Sequence, residues 1–167
     1  KKFGIIGLGS IGKEVVKRLI GFKCKIYVND IKIDKKFCKL NKLKVTTKKN
    51  IFKNCDVISI HTPLTELTEN LINRESIKLM KKRLVLINTA RGKIIDLNNT
   101  IKQINSKNIQ MYIDVFPQEP FKLNKNFNIK KNIFSPHMTG TSIEAKQRIG
   151  LKNIKNLENF FKLKIEL

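Results

Sequence analysis

The fold of this chain is decided by residues 4–15, which read GIIGLGSIGKEV. An apolar strand pattern runs into a glycine-rich turn, and a helical pattern begins directly after that turn. In this context Gly7 permits the tight turn, Gly9 lets the backbone approach a pyrophosphate, and Gly12 lets the helix pack closely. The stretch therefore predicts a dinucleotide-binding loop, with the amides of the helix N-terminus directed at the phosphates.

Apolar runs of strand length alternate with helical patterns along the whole chain. The predicted strands cover residues 2–7, 24–29, 43–46, 56–60, 84–88, 110–115 and 133–135. The predicted helices cover residues 11–20, 34–41, 74–80, 97–105 and 142–161. The first helix is expected to pack through Ile11, Val15, Val16, Leu19 and Ile20. Because near-continuous apolar strands indicate a parallel sheet covered on both faces, we expect one α/β domain over residues 1–167, a doubly wound parallel sheet of the Rossmann type.

The chain of 167 residues carries a formal net charge of +22. Thirty of its 35 basic residues are lysines scattered along the sequence, and arginine, the usual reader of DNA bases, is scarce. This spread favours a solvated basic surface, which suits anionic cofactors and substrates, over a nucleic-acid interface. The sequence has no apolar run of about 18 residues that would span a membrane. Three widely spaced cysteines indicate neither a disulfide framework nor a metal site, and they suit the reducing cytoplasm.

Asp30 ends the second predicted strand, 18 residues beyond Gly12. A carboxylate at this place accepts hydrogen bonds from the adenosine ribose hydroxyls of a dinucleotide. A 2′-phosphate would meet the same carboxylate as a like charge, so NAD is favoured over NADP. Lys32 lies close enough to weaken that preference. The predicted cofactor is NAD.

His137 follows the last predicted strand, at the edge where ligands of open α/β sheets bind. Glu119 lies in the loop after the preceding strand, so the two side chains can meet. A carboxylate on one ring nitrogen would fix the tautomer and stabilise the imidazolium. The other nitrogen would then exchange a proton with a substrate oxygen. A solvated glutamate and an ordinary loop histidine are an alternative of equal weight.

Arg91 follows the predicted strand at residues 84–88. A guanidinium there can bind a substrate carboxylate through two hydrogen bonds, and a surface cation is the alternative. His61 also follows a strand and competes for the acid–base role, but only His137 has a candidate carboxylate on a neighbouring strand end. Asp114 ends its strand at the same crevice, where it can anchor a nicotinamide amide or cap the loop.

Several motifs together resemble the NAD-binding domain of the D-isomer-specific 2-hydroxyacid dehydrogenases, the family of D-3-phosphoglycerate dehydrogenase and glyoxylate/hydroxypyruvate reductase. Besides GIIGLGSIGKEV and Asp30, they are DVISIHTPLTELTENLIN, LVLINTARGKIIDL, MYIDVFPQEP and SPHMTGTSIEA. The resemblance implies an oxidoreductase that transfers a hydride between NAD(H) and a D-2-hydroxy acid or 2-keto acid, with 3-phosphoglycerate, glyoxylate and hydroxypyruvate as candidate substrates. Glu119 argues against the formate dehydrogenase branch, which has glutamine there.

The resemblance also implies roles for individual residues. His137 would be the proton donor and acceptor, Glu119 its partner, and Arg91 the group that holds the substrate carboxylate. The implied cofactor contacts are Gly7, Gly9, Gly12, Ser10 and Ile11 at the pyrophosphate, Asp30 at the adenosine ribose, Thr62 along the groove, Thr89 near the nicotinamide ribose, Asp114 at the carboxamide, and Gly140 near the cofactor.

Two departures from the family pattern matter. The HIGG motif of the family reads HMTG here, from His137 to Gly140, so a side chain replaces one glycine near the cofactor. Family members also carry a substrate-binding domain, mostly upstream of the glycine loop, which this sequence lacks. We therefore expect the chain to be a fragment of a longer protein. The resemblance alone predicts a homodimer.

Two other functions remain open on the sequence. A non-catalytic NAD(H)-responsive binding module would have the same fold, although all three catalytic residues are retained here. A basic nucleic-acid binder would bind DNA in a salt-dependent way and would be indifferent to NAD. The dehydrogenase is the favoured interpretation.

Overall fold

The computed structural model describes residues 1–122, 125–127 and 130–162. Its strands are β1 (Lys2–Ile6), β2 (Lys25–Asn29), β3 (Lys44–Val45), β4 (Val57–Ile60), β5 (Val85–Asn88), β6 (Gln110–Ile113) and β7 (Ile133–Phe134). Its helices are α1 (Ser10–Ile20), α2 (Lys35–Leu40), α3 (Lys48–Asn54), α4 (Arg74–Leu79), α5 (Leu97–Ser106) and α6 (Ile143–Phe161), with a 3-10 turn at Gly92–Ile94. The chain divides into two compact units, Lys1–His137 and Met138–Leu167.

The seven strands form one parallel sheet in the order β3-β2-β1-β4-β5-β6-β7. This confirms the predicted doubly wound α/β fold. β1 pairs with β2 on one side and with β4 on the other, so the direction of travel across the sheet reverses between β1 and β4. At such a switch point the loops that follow the strands diverge and leave a crevice for ligands. The glycine loop follows β1 and therefore lies at this crevice.

Two apolar clusters pack against the sheet. One joins α1 and α2 to the strands through Val16 and Cys38. The larger one joins α3, α4 and α5 through Ile51, Ile77 and Ile104. Crossovers between parallel strands are right-handed, so connections that run in opposite directions across the sheet cover opposite faces. This is why the central strands β1, β4 and β5 are apolar along most of their length.

The packed face of α1 agrees with the prediction at Val15, Val16 and Leu19 and differs from it at the two ends of the helix. Ile11 is 66% exposed and Ile20 is 43% exposed, whereas Gly12 and Val16 are the buried residues of this helix. The helix approaches the preceding turn at Gly12, where an added Cβ would lie 2.1 Å from the carbonyl oxygen of Gly7. Residue 11 is rotated by about 100° from residue 12 around the helix, and so it points away from that contact.

The sequence prediction also misses α3, the short helix between β3 and β4. Its seven residues read KKNIFKN and offer only Ile51 and Phe52 to the core, too few to show helical periodicity. The helix begins at a cap in which the Asn50 amide donates to Oγ1 of Thr47 at 3.2 Å. Local capping and burial of two apolar side chains fix this helix.

The described part of the second unit contains α6 and the turn before it. Ser142 caps α6, since its hydroxyl oxygen accepts from the Ala145 amide at 3.2 Å. Glu144 lies in the first turn, where its negative charge interacts favourably with the helix dipole. None of the helices within the described residues has the length and apolar character needed to cross a membrane.

Candidate functional site

The glycine loop between β1 and α1 is shaped by close backbone approaches. Gly7 has φ +96°, and a Cβ there would lie 2.6 Å from the backbone that follows β4. Gly12 makes the close contact described above. A Cβ on Gly9, by contrast, would meet nothing within 4 Å. No side chain caps α1 at Gly9, so the first-turn amides of Ser10 and Ile11 have no intrahelical acceptor and can bind an anion.

A cavity of about 190 Å³ opens beside this loop, and Asp30, Lys48 and Thr62 contribute to its lining. The Asp30 carboxylate is held by two backbone amides. Leu8 donates to Oδ2 at 2.5 Å and Lys32 donates to Oδ1 at 2.8 Å. The carboxylate is thereby fixed at the carboxyl end of β2, and its remaining lone pairs can accept hydrogen bonds from ligand hydroxyls.

The residues of this cavity fit a dinucleotide. Oγ1 of Thr62 is buried and has no hydrogen-bond partner in the parts of the chain that the structure describes. A buried hydroxyl without a partner is unusual and indicates a place where a ligand supplies the bond. The free space at Gly9 can take a phosphate group of a ligand. The carboxylate of Asp30 and the hydroxyl of Thr62 can form hydrogen bonds with its hydroxyl groups.

Glu119 and His137 come together at the carboxyl ends of β6 and β7. Nδ1 of His137 lies 2.8 Å from Oε2 of Glu119, and the Phe116 amide donates to Oε1 at 2.9 Å. These two interactions, the Phe116 amide first, lower the pKa of Glu119. The carboxylate is therefore ionised near neutral pH and can only accept, so Nδ1 donates to it. Nε2 of His137 has no hydrogen-bond partner among the described residues.

The backbone of His137 adopts a conformation that favours glycine. Its φ is +50°, and a non-glycine residue in this left-handed region is strained by about 1 kcal/mol. Two bonds hold it, since the His137 amide donates to the carbonyl oxygens of Asp114 at 2.8 Å and Ser135 at 3.0 Å. Asp114 is buried, and its Oδ1 accepts from the Ser135 hydroxyl at 2.5 Å. The role of Ser135 was not predicted, because a serine after a strand gives no sign in the sequence of the acid that it bonds.

Arg91 lies in the loop after β5, and a buried asparagine organises this loop. Nδ2 of Asn88 donates to the Arg91 carbonyl oxygen, and Oδ1 accepts from the Ala90 amide, both at 3.0 Å. The Arg91 side chain is exposed, and Nη1 donates to the Ala90 carbonyl oxygen at 2.6 Å. The structure does not pair Arg91 with Glu119 or His137, and within the described ranges of the chain the guanidinium keeps donors free for a ligand. The role of Asn88 was not predicted.

The Arg91 loop touches the backbone that holds Glu119. A Cβ on Gly92 would lie 1.9 Å from the carbonyl carbon of Phe116, so only glycine permits this approach. The same Phe116 donates its amide to Glu119. The loops after β5 and β6 are therefore in direct contact, and the position of Arg91 depends on the segment that carries Glu119.

An apolar cavity of about 550 Å³ adjoins the Glu119–His137 pair. Phe116, Phe121 and Phe134 contribute to its lining, and the rings of Phe116 and Phe121 stack with their centroids 4.4 Å apart. The Glu119–His137 pair itself stays open to solvent, since the two side chains are 37% and 50% exposed.

His61, the competing histidine, lies in different surroundings. Its Nε2 is 2.9 Å from the Ser59 hydroxyl oxygen, and the side chain lines the cavity beside the glycine loop. Burial lowers its pKa. No carboxylate pairs with His61 among the described residues, in contrast to His137.

Two predicted cofactor residues remain to be placed. Thr89 is exposed and directly follows β5, at the same edge of the sheet as the glycine loop. Gly140 has φ +98° and belongs to the second unit. A Cβ on Gly140 would meet nothing within 4 Å.

Comparison with known proteins assigns this geometry to a family. The sequence profile described as "D-isomer specific 2-hydroxyacid dehydrogenase, NAD binding domain" matches residues 1–139. The chain belongs to the D-isomer specific 2-hydroxyacid dehydrogenase family. Its NAD-binding domain is the part that this chain matches, which confirms the predicted family and cofactor.

The relatives with similar sequences include two reductases. The glyoxylate reductase of Thermofilum pendens is 36% identical over 162 residues, which cover 94% of this chain and 47% of the relative. The hydroxypyruvate reductase of Thermotoga maritima is 34% identical over 161 residues, covering 94% of this chain and 52% of the relative. Among solved structures, D-lactate dehydrogenase from Aquifex aeolicus in complex with NAD and lactic acid matches with a TM-score of 0.83 at 29% identity, over 96% of this chain and 53% of that one.

The chain thus spans about half the length of each of these two reductases.

Proposed function

We propose that this chain is the cofactor-binding part of a longer NAD-dependent enzyme that interconverts a D-2-hydroxy acid and a 2-keto acid. The observation that supports this most strongly is the 2.8 Å contact between His137 and Glu119. The contact lies at the carboxyl edge of the same parallel sheet that carries the glycine loop. The bonds of the His137 amide to the Asp114 and Ser135 carbonyl oxygens add support, because they fix the histidine at this edge.

In the proposed reaction His137 moves the proton. Bound NAD would accept or supply the hydride at its nicotinamide ring. Glu119 fixes Nδ1 as the protonated nitrogen, which leaves Nε2 to take the proton from a substrate hydroxyl or to return it to a carbonyl oxygen. The ionised carboxylate stabilises the imidazolium in between. The 2-carboxylate of the substrate is assigned to Arg91, whose exposed guanidinium can donate two parallel hydrogen bonds.

The proposed cofactor contacts can be grouped by the part of NAD that each would bind. The free amides of Ser10 and Ile11, with the open side of Gly9, would hold the pyrophosphate. Asp30 would bind the adenosine ribose, and Thr62 would contact the cofactor along the adjacent groove. The remaining assigned residues are Gly7 and Gly12 in the loop and Thr89, Asp114 and Gly140 toward the nicotinamide.

Three further proposals concern the whole protein. The missing length would supply the substrate-binding domain, and with it the contacts that choose between glyoxylate or hydroxypyruvate and the keto acid of 3-phosphoglycerate. We propose a homodimer on the family resemblance, and location in the cytoplasm on the unpaired cysteines.

The test is NADH oxidation by the full-length protein with a panel of 2-keto acids. We expect saturable oxidation of NADH with at least one of glyoxylate, hydroxypyruvate and phosphohydroxypyruvate. In the reverse direction the D-hydroxy acid should react and its L-enantiomer should not. Tight NADH binding with no turnover of any 2-keto or 2-hydroxy acid would instead support the non-catalytic module. DNA binding that is indifferent to NADH would support the nucleic-acid binder.

A further inference from the structure

The segment that follows β3 is held against the end of β2. The Thr46 amide donates to the Val28 carbonyl oxygen at 2.9 Å, and Nδ2 of Asn29 donates to the Thr46 carbonyl oxygen at 2.7 Å. Asp30 comes one residue after Asn29, and Lys48 comes two residues after Thr46. The register of these parallel strands therefore brings Asp30 and Lys48 to neighbouring positions at the carboxyl edge of the sheet.

The start of α3 fixes the backbone at Lys48. The Asn50 amide donates to Oγ1 of Thr47 at 3.2 Å, and Nδ2 of Asn50 donates to Oγ1 of Thr46 at 2.8 Å. Lys48 itself is half-buried, and it is one of the residues that line the same cavity as Asp30 and Thr62.

The ammonium group of Lys48 differs from those of two other half-buried lysines. Within the described parts of the chain, Nζ of Lys48 makes no hydrogen bond and no ion pair. Two other lysines of comparable exposure do have one, since Lys13 pairs with Asp34 and Lys81 pairs with Asp56, both at 2.6 Å. A partly buried cation without a counter-charge, in the wall of a cavity, suits an anionic group of a ligand.

Asp30 and Lys48 impose opposite preferences on that ligand. Both oxygens of Asp30 are held by backbone amides, so this carboxylate stays in place and opposes a phosphate as a like charge. It still accepts from neutral hydroxyls. The cation of Lys48 attracts a phosphate and offers nothing essential to a ribose that Asp30 already binds.

We propose that Lys48 is a cofactor-selectivity residue, whose charge offsets that of Asp30 and lets the groove accept the 2′-phosphate of NADP(H) in addition to NAD(H). This inference rests on dinucleotide binding in the cavity and not on the proposed reaction. It concerns the ratio between two affinities, and so a general electrostatic attraction of the basic surface for nucleotides does not account for it.

The experiment measures dissociation constants of NADH and NADPH by nucleotide fluorescence, with the full-length protein and no substrate. Lys48→Met keeps the aliphatic stem and removes the charge. We expect it to raise the ratio of the NADPH constant to the NADH constant by about three- to tenfold, the effect of losing one partly screened counter-charge. NADH affinity should change less than about twofold. Asp30→Asn should lower the same ratio.

Lys49→Met is the matched control, because it removes the same charge from the adjacent, exposed residue outside the cavity lining. We expect it to leave the ratio unchanged. The proposal would be overturned if the ratio stayed constant in Lys48→Met, including the case in which both affinities fell by the same factor. A larger change of the ratio in Lys32→Met than in Lys48→Met would also overturn it. The proposal would also be overturned if the unsubstituted protein bound neither NADH nor NADPH. Absence of keto-acid turnover alone would refute only the proposed reaction.

Discussion

The contact between Gly92 and Phe116 makes a sharp test of how the site is assembled. In Gly92→Ala the new Cβ would lie 1.9 Å from the carbonyl carbon of Phe116, 2.1 Å from its oxygen and 2.4 Å from the nitrogen of Pro117. All three are backbone atoms, so no side-chain rotation relieves the overlap. Since ordinary contact begins at 3.4 Å, one of the two loops must shift by about 1.5 Å.

That shift should be visible in stability and in turnover. Overlap of this kind in a packed region destabilises a domain by about 1–3 kcal/mol. The displaced segment carries Arg91 on one side and the Phe116 amide that holds Glu119 on the other. A misplacement of about 1 Å can lower turnover by about 100-fold. NADH affinity should change little, because Gly92 does not line the cavity beside the glycine loop.

The assays are urea unfolding of the chain, and kcat and NADH binding of the full-length protein. Gly21→Ala is the control, since its Cβ would lie at an ordinary 3.6 Å from the Arg18 carbonyl oxygen and its φ of −59° suits alanine. We expect this control to remain within about 0.5 kcal/mol of the unsubstituted chain, with unchanged kcat. If Gly92→Ala matched the control in both stability and kcat, the reasoning about the loop contact would be refuted.

Two other predictions concern the cofactor cavity. Gly9→Ala should change the free energy of unfolding by no more than about 1 kcal/mol, because its Cβ meets free space, yet weaken NADH binding by about tenfold or more by blocking the pyrophosphate; equal affinity in a fluorescence titration would contradict this. Burial lowers the pKa of His61 below its ordinary value of 6.5. At a pH between the two pKa values, the imidazole is protonated in the unfolded chain and neutral in the folded chain. The free energy of unfolding should therefore fall as the pH drops below 6.5, by at most about 1.4 kcal/mol per pH unit from this group, and His61→Gln should remove that part of the slope. Urea denaturation at about pH 7.5 and about pH 5.5 measures it, and identical slopes in the two proteins would exclude the effect.

The parallel sheet and the meeting of Glu119 with His137 could be predicted because both follow from local patterns and one geometric rule. A glycine turn between a strand pattern and a helix pattern identifies the loop at Gly9. The carboxyl ends of adjacent parallel strands share one edge, so residues just after two such strands are brought together without knowledge of any packing. Asp30 follows from the same rule.

The supporting contacts could not be predicted, because they depend on packing between segments distant in sequence. Nothing in the run around Gly92 shows that the Phe116 backbone will lie against it. Asn88 and Ser135 look like ordinary polar residues at strand ends until the structure shows what they bond. Lys48 was overlooked because α3 itself was missed, and without that helix the lysine looks like one more member of a basic surface.

The central claim is that His137 moves the proton in a reaction that uses NAD. The most direct measurement is kcat and NADH affinity of His137→Gln in the full-length protein, beside His61→Gln, which alters the only other histidine. We expect the His137 substitution to lower kcat by about 10²–10⁴-fold while the NADH dissociation constant stays within about twofold, and the His61 substitution to lower kcat far less at saturating NADH. Undiminished kcat in His137→Gln, or an equal loss in both variants, would contradict the account.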